Sequence, residues 1–298
     1  MDAVRRMTSL GLEDIDPSLR DFGEIPPKSP TMSGVYFGDH VLMTKLWSGH
    51  MMMVHTDDMI VAPHLVNIGI NEPHNTRILA SLIKPGDVFV DVGANVGYFS
   101  VLGAWRAYPG GQVWSFEPNP KVFSILSDNL TVNGYADMAH RWPAAASDRA
   151  GKQSLRLFPG YVATSTMRDV PEDYLRFTER ETGRRSHVID VDVVRLDDAM
   201  RDVSRIDVMK IDAEGHELHV LRGAREIVAR SPSLKIVMEF NPSMLGADGV
   251  RELVELVRTL GFDIYAIEHD ASLTRMADDE ALLAAAFLDL LLIRPRAG

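Results

Sequence analysis

The chain of 298 residues contains no cysteine. Disulfides and thiolate metal sites are excluded outright, and the absence fits a reducing cytoplasm, the expected location. No stretch approaches the roughly 18 apolar residues that a membrane span needs. The longest apolar stretch, 281–293, is broken by Asp289 and suits a buried strand with its approach helix. The first residues, MDAVRRMTSLGLEDIDPSLRD, carry acids too early and lack an apolar segment long enough for a signal peptide. Basic charge is also short. With 31 Lys and Arg against 42 Asp and Glu the formal net charge is −11, which argues against a nucleic-acid partner, and Arg184 and Arg185 form only a small basic spot. The expected partner is a small molecule or saccharide, with neither nucleic acid nor membrane; the oligomeric state stays open, a homodimer included.

What the chain does hold is 46% hydrophobic and 24% charged residues, enough for a sizeable core. Its centre is the stretch 88–102, VFVDVGANVGYFSVL. Val88, Phe89 and Val90 read as a buried strand, Gly93 and Gly97 as a turn, and Tyr98 as the start of a helix. Asp91 stands at the carboxyl end of the strand, where open α/β sheets bind ligands. A dinucleotide fingerprint needs glycine at the first, third and sixth positions. From Gly93 those positions hold Asn95 and Tyr98, so that pattern fails and Asp-x-Gly-x-x-x-Gly remains. A carboxylate would repel a phosphate and attract an ammonium, which favours S-adenosylmethionine over NAD. The expected cofactor-binding set is Asp91, Gly93, Ala94, Asn95, Gly97 and Tyr98, followed by Glu117 and Pro118. Glu117 ends the next strand, QVWSF, placed to accept hydrogen bonds from ribose hydroxyls; the plain alternative is capping of a helix starting near Asn119 and Pro120.

Residues 1–75 form an extension with a different texture. Pro26, Pro27, Pro30 and Gly34 make a loop-rich lead-in, and VLMTKLW and MMMVHTDDMIV read as two short strands. Three methionines between His50 and His55 resemble a soft metal site but more plainly fill a core; His50, His55 and His64 are candidates for the substrate side. The segment 71–83 reads as a helix. Glu72 and His74 at its start either reach over the cofactor's amino-acid end or compensate the helix terminus. Further on, 121–132 is helical, a third strand falls within 138–146, and Asp148 stands where an adenine amino group needs an acceptor, although a simple turn explains it equally. The stretch 151–196 is an insertion of the kind that forms a lid or a disordered segment, in which Tyr161, Ser165 and Thr166 are substrate-contact candidates.

Catalytic chemistry is expected in the next elements. A fourth strand, IDVMKI, ends at Asp212; a helix spans 215–229; a fifth strand ends at Glu239. Asp212, Glu214, His216 and Glu239 then converge at the sheet edge beside the glycine turn. An alcohol acceptor must be held in line and lose a proton, and His216 is the expected base. A divalent ion held by Asp212 and Glu239 is an alternative means of acidifying the hydroxyl, without a ligand set being assigned. Helix capping by Asp212 or Glu214 and a solvated His216 is the plain alternative. A helix at 250–260 and strands at 263–267 and within 285–293 close the chain, giving an α/β fold with a mostly parallel sheet and helices on both faces.

GDVFVDVGANVGYFSVLGA, VWSFEPNP, DNLTVNG, IDVMKIDAEGHELHVLRGA and VMEF, in this order, resemble the successive motifs of the FkbM family of S-adenosylmethionine-dependent methyltransferases, over roughly 72–240. The resemblance implies a class I methyltransferase, Rossmann-like fold over 76–298, with a seven-stranded sheet whose last strand is reversed. It implies O-methylation of a hydroxyl on a sugar, glycolipid, polyketide or other secondary metabolite. It places Asp91, Gly93, Asn95 and Gly97 at the methionine end of the cofactor, Glu117 on the ribose, Asp212 near the reacting methyl, and His216 and Glu239 beside the acceptor. Residues before about 70 and the insertion at 160–187 match no family motif. An NAD-dependent dehydrogenase and a non-catalytic cofactor-binding protein are the alternatives.

Overall fold

The structure, a computed structural model, describes residues 9–26, 34–277 and 279–295. Residues 1–8, and Pro27 and Pro30 of the lead-in, lie outside them. The chain opens with α1 (Leu12–Ile15), β1 (Val35–Gly38), β2 (Val41–Lys45), β3 (Met51–His55) and α2 (Val61–Asn67) in the extension, and α3 (Pro73–Leu82) runs across its expected boundary at 75. Then come β4 (Val88–Val92), α4 (Tyr98–Ala107), β5 (Gln112–Phe116), α5 (Pro120–Val132), β6 (Ala139–Trp142), β7 (Ala144–Ala146), β8 (Gly151–Leu157), α6 (Glu172–Thr182) and β9 (His187–Val194). The remainder is α7 (Leu196–Ala199), β10 (Val208–Ile211), α8 (Glu217–Arg222), α9 (Arg225–Ala229), β11 (Lys235–Phe240), α10 (Pro242–Thr259), β12 (Asp263–Ile267), β13 (Leu273–Arg275), α11 (Asp279–Leu283) and β14 (Leu288–Ile293).

Both faces of β4 are covered, as its apolar residues Val88, Phe89, Val90 and Val92 require. It pairs in parallel with β5 on one side and β10 on the other, and β6 and β11 extend the sheet outward. The order β13-β12-β14-β11-β10-β4-β5-β6 contains the seven expected strands, with β14 antiparallel to both its neighbours. An eighth strand, β13, corrects the expected count: it pairs antiparallel with β12 at the edge, where Leu273 also bridges to Leu10. The chain runs from β4 outward to β6 and returns on the other side at β10. Ligands bind at such a switch point, outside the carboxyl ends of the strands.

Local chemistry accounts for the other departures from the sequence reading. The single strand expected within 138–146 is two, because Pro143 offers no N–H to a ladder; β6 stays in the main sheet and β7 joins β8 and β9 in a second one. The insertion is thus an ordered sheet and helix among the described residues. The helix expected at 215–229 is α8 and α9, divided at Gly223, where a Cβ would lie 1.9 Å from the Ser147 carbonyl oxygen. The strand reading of 51–61 ends at His55, because the Asp58 carboxylate accepts from the Ile60 and Ala62 amides and opens α2. β1 was not foreseen. α10 begins eight residues before the expected helix and kinks at Gly246 (φ 70°).

Asparagine amides of α5 fasten the extension to the core. Asn129 accepts from Met53 N (2.6 Å) and donates to Met53 O (2.9 Å), and Asn133 does the same for Met51 (2.9 and 2.7 Å). Their side chains do for the outer edge of β3 what a neighbouring strand would do. Met52 is fully buried, in keeping with a core role for the methionines.

Candidate active site

The carboxyl ends of β4 and β10 are pressed together at the glycine turn. Gly93 has φ 74°, and a Cβ there would lie 1.7 Å from the Asp212 carbonyl oxygen, so only glycine fits. Gly93 N and Ala94 N both donate to Phe116 O at 3.0 Å, folding the turn back over β5. Glu117 then accepts from Asn95 N (3.0 Å) and Asn119 N (2.8 Å). Burial pushes its carboxyl up to about 7 against those two hydrogen bonds. The cap of α5 is Asn119, whose side chain accepts from Lys121 N.

This turn forms one wall of a cavity of about 610 Å³, within the range of cofactor and substrate sites. Gly93, Ala94, Asn95, Tyr98, Glu117 and Pro118 line it, as do Glu72, Asp212 and Glu239 from the expected site. The Tyr98 hydroxyl is engaged behind the wall, with Trp47 Nε1 (3.0 Å) and Thr76 Oγ1 (3.1 Å). Among the described non-glycine residues with positive φ, three are in this wall: Glu72 (φ 44°), Asn95 (φ 49°) and Glu214 (φ 50°). Left-handed backbone on side-chain-bearing residues is strained, and such strain gathers at functional sites.

The charged side of the cavity is built on β10 and β11. Lys210, buried in the middle of an apolar strand, donates from Nζ to Asp212 Oδ2 at 2.7 Å and lies 4.6 Å from the Phe99 ring centre. Burial works against its charge, but Asp212, Glu72 and Asp91 outweigh it and raise its proton affinity. Burial likewise opposes the ionised Asp212, yet the Lys210 ammonium and hydrogen bonds from Glu239 and Lys210 hold its carboxyl below the ordinary range. Burial, with Asp212 and Glu214 beside it, pushes Glu239 up to about 12, so it is protonated at neutral pH and donates to Asp212. Burial and then Asp212 push Glu214 up to about 9. Glu72, raised chiefly by burial, is held by the Asn71 and Asn75 amides at 2.9 Å each and does not cap α3.

The loop after β10 is held by a residue the sequence reading passed over, and α8 has no side-chain cap. Glu217 Oε1 accepts from Ala213 N (3.1 Å) and Gly215 N (3.0 Å), so the amides of this loop are bonded without Asp212 or Glu214. Asp212, Glu214 and Glu239 each offer an oxygen within 4.8 Å of the others, the one such group among the described residues. Lys210 already supplies positive charge to Asp212, and no ion is assigned there.

Four expected site residues stand elsewhere. Gly97 (φ 87°) precedes α4 outside the cavity wall, facing Leu126 of α5. His216 is buried outside the cavity wall, its Nε2 3.0 Å from Ser147 Oγ and its ring stacked on His219 at 4.4 Å; burial, then His219, pushes it down to about 4. The turn at Gly215 (φ 87°) directs it toward β7. Asp148 is likewise outside the wall, because its Oδ2 is taken by His219 Nδ1 at 2.7 Å. Asp91 lies beneath the turn, bonded to Ser100 Oγ at 2.6 Å, and burial pushes it up to about 6; its Oδ1 has no partner among the described residues.

Of the substrate candidates, His64 and Ser165 line the cavity. Thr166 instead donates to Glu214 O (2.9 Å), and Tyr161 lies outside the wall. His50 is bonded at both ring nitrogens, to Ser48 (2.8 Å) and Tyr135 (2.7 Å), and His55 is outside too. The sequence reading missed Lys210, although a lysine inside a buried strand was a signal; Met167 and Val162 gave none. It weighed His74 but not its partner Asp289, whose Oδ2 lies 2.8 Å from His74 Nε2.

S-adenosylmethionine fits these residues: Glu117 offers a carboxylate to ribose hydroxyls, and side-chain-free Gly93 leaves the turn backbone open to the amino-acid end. Among the described residues, no helix is long and apolar enough to cross a membrane.

Comparison with known proteins agrees. Methyltransferase sdnD of Sordaria araneosa is 32% identical over 197 residues, 59% of this chain and 73% of that protein. The 31-O-demethyl-FK506 methyltransferase FkbM of Streptomyces tacrolimicus is 32% identical over 208 residues, 62% of this chain and 75% of that protein. The hexuronic acid methyltransferase AglP of Haloferax volcanii is 28% identical, over 49% of this chain and 54% of that protein. Residues 91–264 match the methyltransferase FkbM domain, and the chain belongs to the FkbM family of methyltransferases, with S-adenosylmethionine as its cofactor.

Proposed function

We propose that this methyltransferase transfers the methyl group to a hydroxyl oxygen of a small molecule or saccharide. The observation that carries the reading is the cluster of Asp212, Glu214 and Glu239 in one wall, their oxygens within 4.8 Å of one another, with Asp212 favoured as the anion beside Lys210 and the two glutamates pushed toward the protonated form. A hydroxyl both donates and accepts, and an ionised carboxylate beside a neutral carboxyl offers it one of each. The name of the Streptomyces relative refers to an oxygen-bound methyl and that of the Haloferax relative to a sugar acid. Both are consistent with this class of acceptor.

Bound S-adenosylmethionine supplies an electrophilic methyl group. The residues supply position: Glu117 and the glycine turn for the cofactor, and Asp212, Glu214 and Glu239 for the acceptor oxygen. Holding the two in line is the larger part of such catalysis.

The test is incubation with ¹³C-methyl-labelled S-adenosylmethionine and three probes: an alkyl glycoside, a hexuronic acid glycoside and a macrolide alcohol. NMR of the product is expected to place the label on an ether oxygen of at least one probe. Label found only on nitrogen or on a carboxyl group, or turnover of none, overturns the reading.

A further inference from the structure

We infer, resting on the hydroxyl-transfer reading, that His74 held by Asp289 is the base that takes the acceptor's proton. His74 lies in the first turn of α3 and lines the cavity beside Glu72. Asp289 belongs to β14 and sits opposite Glu239 of β11 in the ladder. The pair therefore stands next to the carboxyl cluster that would hold the acceptor.

The geometry orients the ring. A carboxylate only accepts, so the 2.8 Å contact assigns the hydrogen to Nε2 and leaves the lone pair on Nδ1. No partner for Nδ1 occurs among the described residues. The His269 ring packs edge-on at 5.7 Å.

The other groups in the wall are less suited to the task. Asp212 is stabilised as an anion by Lys210 and is a weak base, while Glu214 and Glu239 already carry protons at neutral pH. His64 lines the cavity without a carboxylate bonded to its ring among the described residues. The groups facing His74 are Asp289 from β14, Glu72 ahead of α3 and His269 after β12, with Glu239 of β11 across the ladder from Asp289. The hydrogen bond to Asp289 raises the proton affinity of His74, burial opposes it, and the charges of Asp289 and Glu72 add to the rise.

In the step, the acceptor oxygen forms its bond to the methyl carbon as the carbon–sulfur bond breaks. The electron pair of that bond remains on sulfur, giving a neutral thioether. The hydroxyl proton passes to His74 Nδ1, and the imidazolium later returns it to water.

The test uses labelled S-adenosylmethionine and the hydroxyl probes above with wild type, His74→Gln and Asp289→Asn. His74→Gln is expected to lower kcat by about 10²–10⁴-fold while binding the cofactor with unchanged affinity. In wild type, kcat/KM is expected to rise with pH through a group titrating above an ordinary histidine. In Asp289→Asn that limb moves to lower pH, and NMR titration of the His74 ring shows the same displacement. Turnover by His74→Gln equal to wild type, or a ring titration indifferent to Asp289→Asn, overturns this inference and leaves hydroxyl transfer standing. Turnover of no hydroxyl probe by wild type overturns both.

Discussion

Lys210 is the cation on which the site's charge balance turns. Its ammonium offsets Asp212 and Glu72 at a place where each alone would be a buried, uncompensated charge. Lys210→Met keeps the volume and removes the charge, and loss of one partner of such a pair costs about 3–5 kcal/mol. The loss will depend on pH. With Lys210 present, the Asp212 carboxyl lies below its unfolded value, so it stabilises the fold above that value. Without the ammonium, burial raises the carboxyl above its unfolded value; the folded form then holds more protons than the unfolded, and stability falls as pH rises. Urea denaturation should show a larger deficit at pH 8 than at pH 5, and an equal deficit at both would contradict this account. At this scale the sequence revealed which residues reach the sheet edge but not where they point. Asp212, Glu239, Glu72 and Glu117, which the sequence puts at strand or helix ends, line the cavity. His216 and Asp148 do not, since each follows a turn whose direction rests on Gly215 or on the partition of β6 from β7.

Among elements, the decisive contact is between the ends of β4 and β10. Gly93→Ala combines a left-handed backbone with a Cβ inside the Asp212 carbonyl, and should cost at least about 4 kcal/mol and abolish cofactor binding. Gly134→Ala is the control: its φ of 80° is similar, but nothing lies within 4 Å, so only the strain of about 1–2 kcal/mol is expected. Thermal melts that rank the two equally would show that close approach at Gly93 is unimportant. Strand and helix periodicity made most core elements legible, because apolar runs and glycine turns are local signals. Division of the third strand at Pro143 was marked by the proline. Division of the helix at Gly223 was not legible, since it depends on Ser147, distant in sequence.

For the molecule as a whole, the cavity has two kinds of wall. One comes from the motif-bearing sheet edge. The other comes from Ile60 to His74 of the extension and Val162 to Met167 of the insertion. The extension and the insertion meet beside these segments, through Met59 N to Gly160 O (2.8 Å) and the Arg184–Asp57 ion pair (2.9 Å). In the proposed reading they choose the acceptor. Apart from His64, Glu72 and His74, their side chains are mostly aliphatic or small and polar, in no periodic pattern, so the sequence marked the cofactor half of the site by motif and the acceptor half only by isolated residues such as His64 and Ser165.

The central claim is that this cavity is where cofactor and acceptor meet. Calorimetric titration with S-adenosylmethionine, its demethylated product S-adenosylhomocysteine and NAD, on wild type and Glu117→Ala, tests it most directly. The account predicts binding of the first two and not of NAD, weakened about tenfold to a hundredfold in the variant by loss of hydrogen bonds to a charged group. Wild-type affinity in Glu117→Ala, or preference for NAD, would contradict it.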